Sequence, residues 1–301
     1  MTKKFWLVTS MILLIILLAA CSRNSPDSEV SLTDLSIQVK ENPEPKELSP
    51  DDLLSVHFLD VGEGDAILVV QGNYAMLIDG GSAEMGTTVF TYLRSQGIER
   101  LEYIVATHPF TDHIGGLPDI LQRIDTRNVL LPMVYHDTPA YNAFLIAVEN
   151  SSADAAVPFA GHIFTLGNAT MTVLSPNSTD EWDNRANYSI VMRIDFGSTS
   201  FMLTGDAMRE VEANLLDSAA HLSSNVLKVA RHGASSATTS GFLDAVNPSI
   251  AVISAGADNS FLSQDVLRRL SNANVHVFRT DLNGNIVITS DGTMLRVVVE
   301  R

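Results

Sequence analysis

Short apolar runs separated by turn residues fill the chain from about residue 54 onwards. Gly or Asn stands between many of them, and the runs are rich in β-branched residues, which is typical of β-strands. In the first half this pattern predicts strands at residues 55–61, 66–70, 75–78, 103–106, 128–131 and 169–174. Apolar residues at helical spacing predict helices at residues 87–96, 117–124 and 140–149.

The same alternation returns in the second half. It predicts strands at residues 189–196, 200–203, 226–230, 250–254, 276–278, 285–289 and 293–299. Helices are predicted at residues 207–219, 240–245 and 264–273. Two β-rich halves with helices outside them indicate an α/β (α+β) chain folded as a four-layer αββα sandwich. A functional site is then expected along one edge, where loops of both halves meet.

The N-terminus carries the features of a secretory signal. Two lysines precede an apolar run over residues 5–18, and Leu-Ala-Ala-Cys closes the segment at Cys21. This ending resembles a bacterial lipobox, which predicts a lipoprotein signal peptide over residues 1–20 and a lipid on Cys21. The alternative is an uncleaved membrane anchor, although the apolar run is a little short for a helix that spans a bilayer. Both interpretations place the protein on the extracytoplasmic face of the cell membrane.

Residues 21–53 are polar, acidic and rich in proline, so we expect a flexible tether before a folded domain over residues 54–301. The 301 residues carry a formal charge of −16. Without a surplus of Lys and Arg to displace counterions from phosphates, a nucleic acid would bind only weakly. Cys21 is the one cysteine, so neither disulfides nor thiolate metal ligands are expected.

The strand predicted at residues 103–106 runs directly into residues that bind metals. His108, Asp112 and His113 lie within six residues, and a Gly-Gly pair follows. Imidazole and carboxylate groups bind zinc, manganese or iron, and a rigid strand end aims them at one point. The alternative is a turn whose polar side chains are merely solvated. The close spacing favours the metal site.

Several motifs in order resemble the metallo-β-lactamase fold, and in particular the hydrolase domain of ComEC-type competence proteins. They include Leu-Ile-Asp-Gly-Gly at 77–81, Leu-Thr-Gly-Asp-Ala at 203–207 and Leu-Lys-Val-Ala-Arg-His-Gly-Ala-Ser at 227–235. The resemblance covers about residues 54–301 and also takes in residues 57–66, 103–117 and 187–191. It implies the same four-layer sandwich, metal-dependent hydrolysis and phosphodiester substrates.

In this family two ions bind side by side and share the Asp at position 206. The resemblance gives one ion His108, the residue at 110 and a His near Asn187, and the other ion Asp112, His113 and a late His. Here Phe110 cannot bind a metal, Asn187 is a poor ligand, and residues 261–264 contain no His. The metal ligands that remain are His108, Asp112, His113 and Asp206. This set predicts one zinc or manganese ion, or none.

Two carboxylates have competing interpretations. Asp206 ends a strand and begins a helix, so it is either a metal ligand or the N-cap of that helix. Asp79 is expected by the resemblance to orient an imidazole, and the alternative is an Asp in a turn.

Arg231 departs from the family, which has His at this position. We hypothesise that its guanidinium partly replaces the missing ion by pairing with Asp112 or Asp206, or that it holds a phosphate oxygen. The alternative is a solvated Arg on a loop. His232 is the remaining candidate for a proton donor to the leaving group. The other histidines are expected to be surface or structural residues: His57, His136, His162, His221 and His276.

Two functions from different classes follow. The first is a membrane-tethered, metal-dependent hydrolase that resembles a phosphodiesterase or nuclease, with Asp112, His232 and Arg231 acting in catalysis. The second is a binding or scaffold lipoprotein, linked to DNA uptake, that keeps the fold but has lost the chemistry. The residues lost at the metal site keep the second interpretation open.

Overall fold

A computed structural model describes residues 49–258 and 260–301. The signal sequence, Cys21 and nearly all of the tether predicted above lie outside the described residues. Fifteen strands are described: β1 (Leu54–Phe58), β2 (Ile67–Gln71), β3 (Tyr74–Ile78), β4 (Arg100–Val105), β5 (Asp125–Leu130), β6 (Asp154–Ala156), β7 (Ile163–Leu166), β8 (Ala169–Ser175), β9 (Val191–Phe196), β10 (Thr199–Leu203), β11 (Val226–Lys228), β12 (Ile250–Ile253), β13 (His276–Arg279), β14 (Ile286–Ser290) and β15 (Leu295–Val299).

Eight α-helices lie among the described residues: α1 (Gly86–Ser95), α2 (Thr111–Ile114), α3 (Leu117–Arg123), α4 (Pro139–Asn150), α5 (Arg209–Asp217), α6 (Ser240–Val246), α7 (Gln264–Asn272) and α8 (Thr280–Asn283). Short 3-10 turns occur at Pro50–Asp52, Ala83–Met85, Arg185–Tyr188 and Ala230–Gly233. Across residues 49–258 and 260–301, no helix has the length and apolarity needed to span a bilayer.

The strands form two sheets. The first has the order β15-β14-β1-β2-β3-β4-β5-β6, and the second has the order β13-β12-β11-β10-β9-β8-β7. Antiparallel hairpins form one side of each sheet, whereas β3 to β6 and β10 to β13 pair in parallel. Parallel strands place their carboxyl ends at one edge. The loops that follow β4 and β10 carry the predicted metal ligands, and the loop after β11 carries His232, the predicted proton donor.

Three apolar clusters show how the layers are stacked. The central cluster joins side chains of both sheets, among them Val56 of β1 and Ile194 of β9. A second packs the first sheet against α1, α3 and α4, and a third packs the second sheet against α5, α6 and α7. Each sheet is therefore covered by helices outside and by the other sheet inside, which is the αββα arrangement.

The mixed α/β fold with two sheets is confirmed, and the differences from the sequence prediction are local. The helix predicted at 207–219 begins only at Arg209, because Asn187 accepts a hydrogen bond from the backbone N–H of Met208 at 3.0 Å and holds that residue extended. The strand predicted at 226–230 ends at Lys228, where the chain enters a tight turn. The short edge strands β6 and β7 were not predicted, because their residues are mostly exposed.

Candidate metal centre

The first group of site residues is fixed by the loop between β4 and α3. His108 and His113 are fully buried, and the N–H of Gly80 donates to the carbonyl oxygen of His113 at 2.7 Å. A side chain at Gly116 would lie 2.1 Å from the carbonyl oxygen of Gly80, and one at Gly64 would lie 2.1 Å from that of Asp112. These close approaches of backbone explain why glycine surrounds the loop.

The second sheet supplies Asp206 after β10 and His232 after β11. The N–H of Asp206 donates to the hydroxyl of Ser189 at 3.0 Å, which fixes the loop. Arg231 and His232 have φ values of 48° and 52°, so both adopt the left-handed conformation that side chains disfavour. Strain of this kind is retained where the surrounding structure holds a functional residue in place.

Four side chains from the two halves converge on one point. The Nε2 atom of His113 lies 3.5 Å from Oδ1 of Asp206 and 3.8 Å from Oδ2 of Asp112. The Nε2 atom of His232 has the same two separations. In a tetrahedral site with bonds of about 2.1 Å, neighbouring ligand atoms are roughly 3.4 Å apart. Each of these two imidazoles therefore lies at ligand spacing from both carboxylates. Among the groups that could hold one cation are two that overlap at His113: Asp112 with His113 and His232, and His108 with His113 and Asp206.

The tautomer of each imidazole is fixed by the contact that its Nδ1 atom makes. Nδ1 of His113 lies 2.8 Å from Asp79, and Nδ1 of His232 lies 3.2 Å from the carbonyl oxygen of Ser254. Nδ1 of His108 lies 3.0 Å from the hydroxyl of Thr107, which itself donates to Asp79. In the neutral form each imidazole therefore carries its proton on Nδ1, and Nε2 is the atom that can bind a metal.

The atoms that could bind a metal make no hydrogen bond within the described part of the chain. Nε2 of His108, His113 and His232 and Oδ1 of Asp206 are buried and make no hydrogen bond among the described residues. Burying polar atoms without partners is costly, so such a cluster indicates a missing ligand. Two imidazoles and two carboxylates suit zinc or manganese, and the residues present therefore fit one such ion.

Asp206 divides the site into two halves, because its two oxygens face different partners. Oδ1 faces His113 and His232, and Oδ2 lies 3.7 Å from Nε2 of His108. We call these the His113 half and the His108 half. In the His108 half the ring of Phe110 packs edge-on against His108 at 4.9 Å, where the family has a ligand.

Asn187 and Arg231 are both turned to other partners. The amide of Asn187 donates to Glu210 at 3.2 Å, and its oxygen accepts from Met208. The guanidinium of Arg231 lies over the ring of Phe261 and against the sulfur of Met208. It makes no ion pair with Asp112 or Asp206, so the hypothesis that it replaces a cation by pairing with either of them is wrong.

The buried site residues shift one another's pKa values. Burial opposes protonation of His113, but the carboxylates of Asp206 and Asp79 raise its pKa well above the usual 6.5. Burial, with the neighbouring His113, lowers the pKa of His108 well below that value. Burial would raise the pKa of Asp206, yet His113 and His232 hold it well below 3.8. Asp206 is thus a carboxylate, as a metal ligand must be.

Sequence reasoning missed three contributors to the site. His232, expected to donate protons, lies among the candidate ligands and supplies the late His that the resemblance expected and that residues 261–264 lack. Asp65 and Lys228 are buried behind the ligands, and no role had been assigned to them. Their only sequence signal was their place within motifs of the family resemblance.

The other histidines are distributed as follows. His57 is buried and contacts the hydroxyls of Tyr92 and Ser55 at 2.9 Å each, so it is structural as predicted. His162, His221 and His276 are exposed. His136 differs from expectation because its ring lies 5.7 Å from Phe110, at the rim of the site.

Comparison with known proteins places these features in a family. A sequence profile described as the metallo-beta-lactamase superfamily matches residues 59–257. The chain is 28% identical over 251 residues to ComE operon protein 3 of Bacillus subtilis, covering 77% of this chain and 32% of that protein. It is 26% identical over 242 residues to competence protein ComA of Neisseria gonorrhoeae, covering 79% and 32%.

A third relative is recombination protein 2 of Haemophilus influenzae, 29% identical over 239 residues, covering 77% of this chain and 28% of that protein. The chain thus spans about a third of the length of these curated relatives. Among solved structures, it resembles the metallo-beta-lactamase fold protein YhfI from Bacillus subtilis. The TM-score is 0.53 at 14% identity, covering 79% of this chain and all of that one. This likeness shows the fold alone.

Proposed function

This chain belongs to the metallo-β-lactamase superfamily, and on that premise we propose that it is a metal-dependent phosphodiesterase with a single zinc or manganese ion. The observation that carries the proposal is that Nε2 of His113 and of His232 each lie 3.5 Å from Oδ1 of Asp206 and 3.8 Å from Oδ2 of Asp112. Both Nε2 atoms and Oδ1 of Asp206 are buried and make no hydrogen bond among the described residues. A scaffold that had lost its chemistry would have no physical reason to keep these imidazoles unpaired.

The residues of the His113 half have distinct tasks. His113 and His232 offer neutral nitrogen ligands, held by Asp79 and by the carbonyl oxygen of Ser254. Asp206 joins the two halves of the site. When bound, a divalent cation supplies Lewis acidity and a water of lowered pKa for hydrolysis. We therefore assign His232 to metal binding instead of proton donation.

Asp112 marks the open side of the site. Its side chain is 35% exposed, whereas those of the other three ligands are at most 6% exposed. A substrate therefore approaches past Asp112. His232 lies 6.0 Å from the ring of Phe261, and Arg231 lies over that ring, so a cation and an exposed aromatic surface stand beside the ligands. This pairing suits an anionic substrate that carries a flat group.

The phosphodiester assignment has two further supports. The names of two relatives refer to recombination or to competence. Arg231 provides a donor for a phosphate oxygen next to the metal ligands. With a formal charge of −16 on the chain, a polyanion is held weakly, so a short or single-stranded substrate is expected to turn over with a high KM.

The place of action that we propose rests on the N-terminal sequence. Lipidation of Cys21 after removal of residues 1–20 would anchor the domain to the extracytoplasmic face of the cell membrane, through a tether over residues 21–53. Labelling cells with a clickable palmitate analogue tests this. Wild type should be labelled in the membrane fraction, and Cys21→Ala should not.

The test of the activity begins with metal content. Protein purified without chelator, or loaded with zinc or manganese, should hold about one ion per chain and hydrolyse bis(p-nitrophenyl) phosphate. Asp206→Asn should abolish both properties, while Asp258→Asn, outside the ligand set, should leave them unchanged. Protein that binds neither metal would rule out the hydrolase. A loaded protein without hydrolysis would favour the alternative, a binding or scaffold lipoprotein.

A further inference from the structure

Behind the ligands lies a buried ion pair that the hydrolytic chemistry does not use. Lys228 ends β11 in the second sheet, and Asp65 lies in the loop between β1 and β2 of the first sheet. Their side chains are 0% and 1% exposed, and Nζ of Lys228 pairs with Oδ2 of Asp65. Removing two charges from water is expensive, and an isolated pair of this kind seldom stabilises a fold by itself. Its position needs another explanation.

Each partner also contacts the framework of a different ligand. Nζ of Lys228 donates to the carbonyl oxygen of Gly205 at 3.2 Å, directly before Asp206. The same oxygen accepts from the N–H of Arg231 at 3.2 Å, directly before His232. On the other side, Oδ2 of Asp65 lies 3.8 Å from Nδ1 of His113. The pair thus lies between the ligands of the two sheets.

We propose that Asp65 and Lys228 are positioning residues that clamp the two halves of the sandwich so that His113, Asp206 and His232 meet at one ion. This inference rests on the proposed metal site. The ligands come from separate sheets, and a small shift of one sheet would separate Nε2 of His113 from Oδ1 of Asp206. The clamp prevents that shift, because it is bonded to the loop of Asp206 on one side and adjoins His113 on the other.

The signs of two single substitutions separate positioning from simple electrostatics. Lys228→Met removes a positive charge near the site, so electrostatics alone would tighten the binding of a cation. Asp65→Asn removes a negative charge, so electrostatics alone would weaken it. A clamp predicts that both substitutions weaken binding, each by about 10- to 100-fold, as is found for residues that orient metal ligands.

The experiment is a double-mutant cycle on the whole chain, read out as the zinc dissociation constant by competition with a chromophoric chelator. Both single variants should lose at least about tenfold in affinity, and Asp65→Asn/Lys228→Met should lose no more than the weaker-binding single variant. Tighter zinc binding by Lys228→Met, or additive losses in the double variant, would overturn the clamp.

A separate variant serves as the control for a loss of stability. Ile288→Ala removes a fully buried side chain from the core between the sheets, remote from the pair, and should lower the melting temperature without changing zinc affinity. If either single variant fails to fold, Lys228→Gln keeps a donor for Gly205, and the double variant removes both charges of the pair so that neither is left buried without the other. Wild-type affinity in the double variant overturns the clamp.

Wild type that binds no zinc or manganese overturns both the clamp and the proposed function, whereas wild type that binds metal without hydrolysis overturns only the function.

Discussion

The two halves of the site share Asp206 and differ in everything else. In the His113 half, four ligand atoms lie 3.5–3.8 Å from their neighbours, and each imidazole is held through Nδ1. In the His108 half, one imidazole faces the other oxygen of Asp206, and a phenyl ring packs against it. The residues that depart from the ligand pattern of the resemblance at positions 110 and 187 therefore leave the His113 half intact, and this difference underlies the proposal of a single ion.

The replaced residues of the His108 half have acquired structural contacts. Phe110 packs on His108 and His136, and Asn187 caps the extended residue before α5. Arg231 lies over Phe261. None of these contacts involves an ion, and Nε2 of His108 is the one atom of this half that stays buried without a hydrogen bond among the described residues. The His113 half cannot satisfy its buried atoms in the same way, so its stability depends on a bound cation.

The largest effect is expected from removing an imidazole of the His113 half. His232→Ala should weaken zinc binding by more than about 100-fold, because loss of a residue that merely orients a ligand already costs about 10- to 100-fold. His276→Ala, at an exposed position on β13, is the matched control and should bind zinc normally. Affinities come from chelator competition. Near-normal affinity in His232→Ala would show that His232 is not a ligand.

The pH dependence should also distinguish the halves. The carboxylates of Asp206 and Asp79, against the effect of burial, raise the pKa of His113 above its usual 6.5, so metal-free protein holds a proton there that zinc must displace. Zinc affinity should therefore rise by about tenfold per pH unit from pH 6.5 up to the pKa of His113, and then level off. His108, whose pKa is lowered by burial, contributes nothing to this slope.

The same shift predicts how the metal-free fold responds to pH. A folded pKa above the unfolded value stabilises the fold fully below pH 6.5, and that contribution is lost as pH rises through the folded pKa. Melting temperature in EDTA should fall over this window, and excess zinc should remove the fall. A metal-free melting temperature that rises across the same window would contradict the assigned direction.

A third test attempts to rebuild the abandoned half. Phe110→His would add a second imidazole beside His108 and Oδ2 of Asp206, so zinc content should rise from about one to two ions per chain at high zinc. Phe110→Leu keeps the position apolar and should stay at one. Adding Arg231→His to Phe110→His should bring no further gain, because Arg231 does not occupy the cation position. An unchanged content in Phe110→His would mean that the half has lost more than a ligand.

The sequence was sufficient for most strands of the two sheets and for candidate ligands that follow strands directly. Apolar periodicity marks β4 and β10, and His108, Asp112, His113 and Asp206 follow their ends. It was insufficient for His232, because a ligand at a left-handed turn depends on the path of the backbone, which periodicity does not encode. Asp65 and Lys228 were missed for a similar reason, since their pairing joins residues from different sheets.

The smallest effect on activity is expected from Arg231, which lies beside the ligands where a substrate would bind. Arg231→Gln should raise the KM for bis(p-nitrophenyl) phosphate by about threefold to tenfold with little change in kcat, because the partly buried guanidinium contributes binding and not chemistry. Zinc affinity should stay at the wild-type value, since Arg231 contacts Met208 and Phe261 and no ligand. Arg268→Gln, on the exposed surface of α7, is the control for loss of charge alone. If Arg231→Gln instead lowers zinc affinity or kcat while KM is unchanged, Arg231 belongs to the metal site. The distinction between the His113 half and the His108 half would then no longer hold.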